Sequence, residues 1–264
     1  MEGEAGIRLT VFIGLFALLA LAEHFLPRRK LRVGKSRRWM TNWAIVLIDT
    51  ATLRLLAFAV PALAVGAAFD AGERGYGLFN QTDWPFWVEF LAGLLILDFL
   101  IWAQHLITHK VPLLWRLHRV HHADRDFDVT TAIRFHPVEI ALSMLLKIGA
   151  VYLFGPAAVT VIVFEILLNG CAMFNHSNLK LPRRVDAMLR LFLVTPDMHR
   201  VHHSDKRSEH DSNYGFSISL WVRLFRTYIQ QPEAGHEDMT IGLQWQDDRP
   251  TQLGWSLSLP FRRK

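Results

Sequence analysis

The sequence predicts an all-α integral membrane helical bundle, built from three spans plus a helical hairpin, with a cytoplasmic histidine-rich cap. Three observations support this fold class. Of the 264 residues, 51% are hydrophobic and 20% are charged, whereas a soluble domain has about 25% charged residues. The apolar residues form blocks close to the roughly 20 residues that a spanning helix needs. Most of the 13 histidines fall into three short clusters.

The charge and cysteine content exclude some partners and sites. The formal net charge is +5, and the chain has one cysteine, Cys171. A single cysteine forms no intramolecular disulfide, and the sequence has no paired-cysteine metal motif. The positive charge flanks the apolar blocks, which favours an anionic membrane surface. We therefore expect contacts with membrane lipids and no nucleic acid partner.

The first predicted span covers residues 7–26, with charges only near its ends. A cleaved signal peptide would carry basic residues before its apolar run, but Glu2 and Glu4 precede this one. A basic run at residues 28–38 follows it instead. Because short basic loops stay in the cytoplasm, residues 28–38 are expected inside and the N-terminus outside.

Two further spans follow. Residues 43–69 are predicted to run outward, and they contain the charged residues Asp49 and Arg54. Charged side chains within a membrane normally pair or reach toward the interface. Residues 70–83 form a polar outer loop, and residues 86–102 return the chain to the cytoplasmic side.

Residues 138–173 are compatible with one long span or with a hairpin broken at Gly155 and Pro156, where proline interrupts helical hydrogen bonding. A single crossing would place the histidines before and after it in opposite compartments. A hairpin returns the chain to the cytoplasm, so the hairpin is predicted. Residues 181–193 then form a basic amphipathic helix on the membrane surface.

The three histidine clusters follow helical spacing, one as HxxxH and two as HxxHH. They consist of His105 and His109; His118, His121 and His122; and His199, His202 and His203. Side chains three or four residues apart share a helix face, so each cluster can direct two imidazoles to one point. Eight imidazoles are too many for one tetrahedral zinc site and suit two metals with open positions. Imidazole binds iron, zinc, copper and nickel alike, so ligand type does not fix the metal.

The other histidines receive separate predictions. His176 follows the hairpin and is predicted as a ninth metal ligand. His136 stands at the entrance of the hairpin and is predicted as a ligand or a close support of one. His24, His210 and His236 are predicted to be ordinary surface residues.

Two carboxylates are candidates for orienting a ligand, because a metal-bound imidazole usually donates its other N–H to a carboxylate or carbonyl. Asp98 lies about two helical turns before His105, on the same face, and is predicted either to accept that hydrogen bond or to pair with Arg116 or Arg119. Glu139 is predicted to play a similar supporting part.

The order of the clusters resembles that of the fatty acid hydroxylase/sterol desaturase superfamily of membrane di-iron oxygenases. The flanking text is also similar: LWRLH at 114–118, RFHPVE at 134–139, FNHSN at 174–178, TPDMHRVHHS at 195–204 and NYG at 213–215. The resemblance runs from about residue 98 to residue 228. One departure is WVRLFRT at 221–227, which lacks the Asp and Gly of the family pattern; it concerns a local turn.

The resemblance implies a di-iron centre of two iron ions, dioxygen as co-substrate, and a lipid substrate taken from the bilayer, such as a fatty acyl chain or sterol-like molecule. No fused electron-transfer domain is expected, so a separate electron-donor protein is implied, either a b-type cytochrome or a ferredoxin with its reductase. The implied activity is hydroxylation or desaturation, and the resemblance identifies neither the lipid nor the carbon. The expected division is an N-terminal transmembrane region (1–85), a catalytic domain (86–230) and a C-terminal cytoplasmic tail (231–264).

Two other functions are weighed against this one. A haem-binding membrane electron-transfer protein would carry axial histidine pairs inside its spans, not triple clusters at the end of one. A membrane zinc hydrolase is less compatible, because no HExxH motif places a glutamate beside a ligand pair as general base.

Overall fold

The computed structural model describes residues 2–59 and 63–262. The α-helices in these ranges are α1 (Glu2–Phe25), α2 (Lys35–Ala59), α3 (Ala64–Arg74), α4 (Phe86–Lys110), α5 (Pro112–His122), α6 (Pro137–Phe154), α7 (Ala158–Asn175), α8 (Arg183–Leu189), α9 (Pro196–His202), α10 (Arg207–His210), α11 (Leu220–Leu224), α12 (Gly235–Asp238) and α13 (Leu253–Ser258). Short 3-10 helices lie at Phe79–Gln81, Val129–Ile133, Arg249–Thr251 and Leu259–Phe261. The all-α prediction is confirmed.

Five helices are long and apolar enough to cross a membrane: α1, α2, α4, α6 and α7. They alternate in direction along the chain. The last residues of α1 bond to the chain that leaves α7, since Arg28 N–H donates to the Asn178 carbonyl and Lys180 N–H donates to the Leu26 carbonyl. The carboxyl ends of α1, α4 and α7 and the amino ends of α2 and α6 therefore meet at one end of the bundle.

The hairpin predicted within residues 138–173 is confirmed as α6 and α7. Gly155 ends α6 in the left-handed region, with φ of 67°, a conformation that glycine adopts without penalty. A Cβ at this position would lie 2.5 Å from Asn80 Nδ2 and 2.7 Å from the Tyr76 carbonyl oxygen. Glycine is therefore required here both by the backbone and by the close approach of the loop before α4.

The bounds predicted for the second span, 43–69, are wrong. The helix begins eight residues earlier, at Lys35, and α3 is a separate helix that extends into the predicted outer loop. Residues 60–62 of the predicted span lie outside the described part of the chain. The helix begins early because Arg38, in its first turn, is buried and forms ion pairs with Asp124 and Asp128.

The amphipathic helix predicted over residues 181–193 is shorter than expected. Only Arg183–Leu189 is helical, and the next residues form a turn. The apolar side chains of Met188, Leu191 and Phe192 are exposed. The segment therefore still presents an apolar surface, although the residues after Leu189 are not helical.

A buried charge network joins α2 to the chain after α5. The guanidinium of Arg38 donates to Asp124 at 2.6 Å and to Asp128 at 2.7 Å, and all three side chains are almost completely buried. Asn42 donates to Asp124 and accepts from Arg134. Paired, hydrogen-bonded charges are the form in which buried charges are tolerated. The network fixes the chain that directly follows His122.

The described part of residues 231–264 packs against the cap. Arg119 donates to the Leu259 carbonyl, and Arg134 donates to Ser256 Oγ at 2.8 Å. Trp255 and Leu259 are buried against α5. This segment is therefore a packed wall of the histidine-bearing region, and the domain boundary at residue 230 stays a prediction.

Candidate metal centre

Nine buried histidines meet where α4, α5, α7 and α9 come together. The first group consists of His105, His109, His118, His122 and His202, and the second of His121, His176, His199 and His203. In each group the ligand atoms lie within 4.8 Å of one another. Both HxxHH clusters contribute to both groups, because adjacent residues of a helix point in different directions.

The tautomers of three rings in the first group are fixed by their hydrogen bonds. His105, His118 and His202 each donate from Nδ1, over 2.7 Å, to the Tyr214 carbonyl, the Glu139 carboxylate and the Ser212 carbonyl, respectively. A neutral imidazole has one N–H and one lone pair, so Nε2 of each ring carries a lone pair. The Nε2 atom of His105 nevertheless lies 3.0 Å from that of His118 and 3.0 Å from that of His202.

The second group repeats this arrangement in two of its rings, His121 and His176. His121 donates from Nδ1 to the Arg134 carbonyl at 3.2 Å, and His176 donates to the Ala172 carbonyl at 2.7 Å. Their Nε2 atoms are 3.1 Å apart, and that of His199 is 3.1 Å from that of His176.

Two lone pairs at this distance repel unless a proton or a metal cation lies between them. Protonation is unfavourable, because burial lowers the pKa of His176 to about 3. Burial likewise lowers the pKa of five other imidazole rings well below the ordinary value of histidine. These rings belong to His121, His122, His199, His202 and His203. A metal cation in each group is the species that would satisfy these atoms.

Three more rings of the two groups have no hydrogen-bond partner on either nitrogen within the described ranges. They are His109, His122 and His203, although His109 Nδ1 lies 3.5 Å from Asp211 Oδ1. Buried polar atoms are nearly always hydrogen-bonded, so unpartnered ring nitrogens that converge with the others are further support for the same two sites.

The predicted supporting residues have different outcomes. Glu139 accepts a hydrogen bond from His118 Nδ1 at 2.7 Å, a position compatible with the predicted supporting part. The prediction for Asp98 is wrong, because its carboxylate accepts a hydrogen bond from the Trp221 indole at 2.8 Å and the Tyr214 carbonyl takes the N–H of His105.

His136 belongs to neither histidine group, so the geometry gives no support to its alternative as a ligand, and its alternative as a close support stays a prediction. It caps α6, where Nδ1 accepts from Val138 N–H, and Nε2 lies 3.2 Å from the Leu257 carbonyl.

Two of the three surface predictions are wrong as well. His210 and His236 are buried; His210 stacks on Trp115, and His236 lies 3.6 Å from Asp197. His24 is exposed, as predicted. Sequence reasoning missed the four backbone carbonyls that orient the rings, and no residue type could have revealed them, because every residue has a carbonyl.

Cavities reach the histidines from two sides. One, of about 430 Å³, runs among the long helices and reaches His105 and His118, with Phe135 and Phe216 in its wall. The second, also of about 430 Å³, reaches His109 and has a polar rim that includes Arg207. The centre is thus accessible from an apolar and from a polar direction.

The chain is similar in sequence to several known proteins. The family model described as fatty acid hydroxylase matches residues 90–227, just over half of the chain. Ornithine lipid hydroxylase OlsE of Rhizobium tropici is 24% identical over 233 residues, which cover 88% of this chain and 70% of that protein. Alkylglycerol monooxygenase of Homo sapiens is 29% identical over 174 residues (64% of this chain, 36% of that protein). Lathosterol oxidase of Homo sapiens is 28% identical over 155 residues (59% and 48%). The chain spans less than half the length of these last two, and no solved structure matches it.

Proposed function

This chain belongs to the fatty acid hydroxylase family, and from that membership we propose a membrane-bound, iron-dependent oxidoreductase that uses dioxygen and external electrons to hydroxylate or desaturate a C–H bond of a lipid. The relatives are named as a lipid hydroxylase, a lipid monooxygenase and a sterol oxidase. Two of the three names describe insertion of oxygen, which favours hydroxylation.

The observation that carries the proposal is the convergence of imidazole lone pairs in two buried groups. We assign all nine histidines of these groups as metal ligands, for one iron ion in each group. Bound iron supplies the oxidation of an unactivated C–H bond by dioxygen, a reaction for which no side chain is competent.

The residues of this chain supply orientation and exclusion of water. The Tyr214, Ser212, Arg134 and Ala172 carbonyls and the Glu139 carboxylate hold the N–H of five rings, so that each Nε2 faces inward. Such partners fix the tautomer and raise the basicity of a ligand. Phe135 stacks on His121 with ring centroids 4.4 Å apart, and Phe216 lies 4.8 Å from His105. These rings shield the apolar side of the centre and leave room for a lipid chain in the cavity.

A haem-binding electron-transfer protein is not favoured. Axial haem ligands would be placed as separated pairs within spans, whereas these histidines converge on one another at the end of the bundle. The electrons are proposed to come from a separate donor protein, a b-type cytochrome or a ferredoxin with its reductase, which would approach from the polar side.

The test combines metal analysis with isotope labelling. Protein purified from an iron-supplemented host is expected to hold two iron ions per chain, one for each histidine group. With a chemical reductant and a bacterial polar lipid extract, it should form a product in air and none under nitrogen. Product labelled from heavy-isotope dioxygen would indicate hydroxylation, and unlabelled product with a new double bond would indicate desaturation. A strong haem absorption band, or product formed without oxygen, would contradict the proposal.

We also propose that the histidine end of the bundle faces the cytoplasm. Lys35 and Lys206 are both exposed near this end, and Glu73 is exposed in α3, toward the other end. In a Cys171→Ser background, a membrane-impermeant maleimide is expected to label Lys35→Cys and Lys206→Cys in inside-out vesicles, and Glu73→Cys in intact spheroplasts. Labelling of positions 35 and 206 from opposite sides would refute the five-crossing arrangement.

A further inference from the structure

Apolar side chains are exposed on two short segments near the histidine end of the bundle. One segment is α8 with the turn that follows it, residues 183–193, and the other is α11 with the next residue, residues 220–225. We call the two together the α8–α11 surface. Its exposed large apolar side chains are those of Val185, Met188, Leu191, Phe192, Leu220, Leu224 and Phe225. An exposed apolar patch of this kind usually marks an interaction site.

Hydrogen bonds join the two segments. The Arg190 carbonyl accepts from Ser219 Oγ and from Arg223 Nη2, both at 2.8 Å. The Ser219 N–H donates to the Phe192 carbonyl at 3.0 Å. The start of α11 is therefore fixed against the turn after α8, and the apolar side chains of both segments belong to one surface.

The backbone of this turn finds its hydrogen-bond partners within the protein. The N–H groups of residues 190–194 all donate to backbone carbonyls, which belong to Asp186, Met188, Leu189 and Ser217. A turn that faces water does not need such partners, because water accepts from its N–H groups. In a bilayer, by contrast, every backbone N–H must be satisfied by the protein. This turn is therefore suited to a lipid environment.

The packing of α11 on α4 indicates how deep the surface lies. The ring of Phe225 stacks on Trp102, with centroids 4.5 Å apart, and on Phe99 at 6.0 Å. With 25 residues, α4 is about 38 Å long, which exceeds the hydrocarbon core of a bilayer by about 8 Å. Trp102 and Phe99 precede Lys110, the last residue of α4, by about 12 and 16 Å along the axis. Even with the whole excess outside the membrane at this end, Phe225 packs at hydrocarbon depth.

The charged side chains of the surface and its margins are almost all basic. Residues 219–227 contain no carboxylate, and residues 180–193 contain one, that of Asp186, which pairs with Arg190 at 2.6 Å. The exposed basic residues are Lys180, Arg183, Arg184, Arg223 and Arg226. Long basic side chains can extend from an apolar surface to the headgroups, where anionic lipids attract them. A second copy of the chain in a two-fold contact would bring the same arginines against each other, so an anionic lipid surface is the better complement.

We propose that the α8–α11 surface is embedded in the leaflet at the histidine end and binds anionic phospholipid. Its apolar side chains lie among the lipid chains, and its arginines lie at the headgroups. The sequence predicts a membrane-surface helix only for residues 181–193, whereas the structure adds α11 and places it beside α4 below the headgroups. The proposed enzymatic chemistry plays no part in this binding, which can be measured in protein without metal.

The depth is tested by fluorescence quenching in nanodiscs. In a Cys171→Ser background, Phe192→Cys and Leu224→Cys each carry a bimane label, in whole protein reconstituted with equal amounts of phosphatidylcholine and phosphatidylglycerol. Both labels are expected to be quenched by a nitroxide on the lipid chains and protected from iodide in the water. Lys206→Cys is the control, since Lys206 is exposed and pairs with Glu233 in a polar part of the cap. Its label should be quenched by iodide.

The lipid preference is tested with the label at position 192. The nitroxide is carried by one of the two lipids at a time, so that the charge of the nanodisc stays constant. One basic residue near an anionic surface favours binding about fivefold. The association constant of phosphatidylglycerol relative to phosphatidylcholine is therefore expected to be at least about fivefold. It should fall toward one in the triple variant Arg183→Gln/Arg184→Gln/Arg226→Gln.

Lys206→Gln/Arg249→Gln is the matched control for charge, because it removes two exposed cations from other parts of the cap and should keep the wild-type preference. Labels at positions 192 and 224 that iodide quenches as strongly as the label at 206 would overturn the inference. Quenching by neither agent would show that protein, such as a second copy of this chain, covers the surface, and would equally overturn it. Equal quenching by the two lipids, or an unchanged preference in the triple variant, would refute the binding of anionic lipid.

Discussion

Replacing His121 by alanine is expected to abolish turnover and to lower the metal content of the protein. His121 is fully buried, its Nε2 faces that of His176 at 3.1 Å, and the second histidine group holds only four rings. Losing one of them opens a coordination position that no neighbouring ring fills. Iron per chain, measured by mass spectrometry, and turnover of the lipid extract provide the readouts.

Glu139→Gln is the matched comparison for a residue that orients a ligand without being one. A lost supporting partner typically costs about 10- to 100-fold in metal affinity or activity, so this variant should be impaired but measurable. His24→Ala, which changes an exposed histidine, should keep wild-type metal content and turnover. Near-normal turnover of His121→Ala with full metal content would mean that the second group is not a metal site.

Replacing Arg38 by methionine is expected to produce a large loss of stability. The change removes the guanidinium that bonds to both Asp124 and Asp128, and it leaves two carboxylates buried close together. Removing one partner of a buried ion pair costs about 3–5 kcal/mol. The thermal unfolding midpoint in detergent should fall accordingly, and metal retention should fall with it, because Asp124 follows His122 by two residues.

Arg37→Met is the control, since Arg37 precedes Arg38 on the same helix and is exposed. It removes the same charge from the same turn and should leave the midpoint nearly unchanged. Equal shifts in the two variants would show that net charge, rather than the buried network, determines the effect.

Much of the fold could be predicted from the sequence because it depends on local chemistry. Apolar blocks of spanning length and the break at Gly155 and Pro156 were sufficient for the long helices and the hairpin. The bounds of α2 were not predictable in this way. Its first turn is basic and reads as a loop, and only the burial of Arg38 against Asp124 explains why the helix begins at Lys35.

The nine histidines that form the two groups could likewise be selected from the sequence by residue type and helical spacing. Which ring belongs to which group, and what orients each ring, was decided by the tertiary structure. The carbonyl that receives the N–H of His105 belongs to Tyr214, 109 residues away, and it left Asp98 free to bind Trp221. The sequence predicts His210 and His236 as surface residues, but the packed C-terminal segment and the turns after α9 bury them. Local spacing fixes which face of a helix a side chain occupies, but backbone partners and burial depend on segments distant in the chain, which carry no residue-type signal.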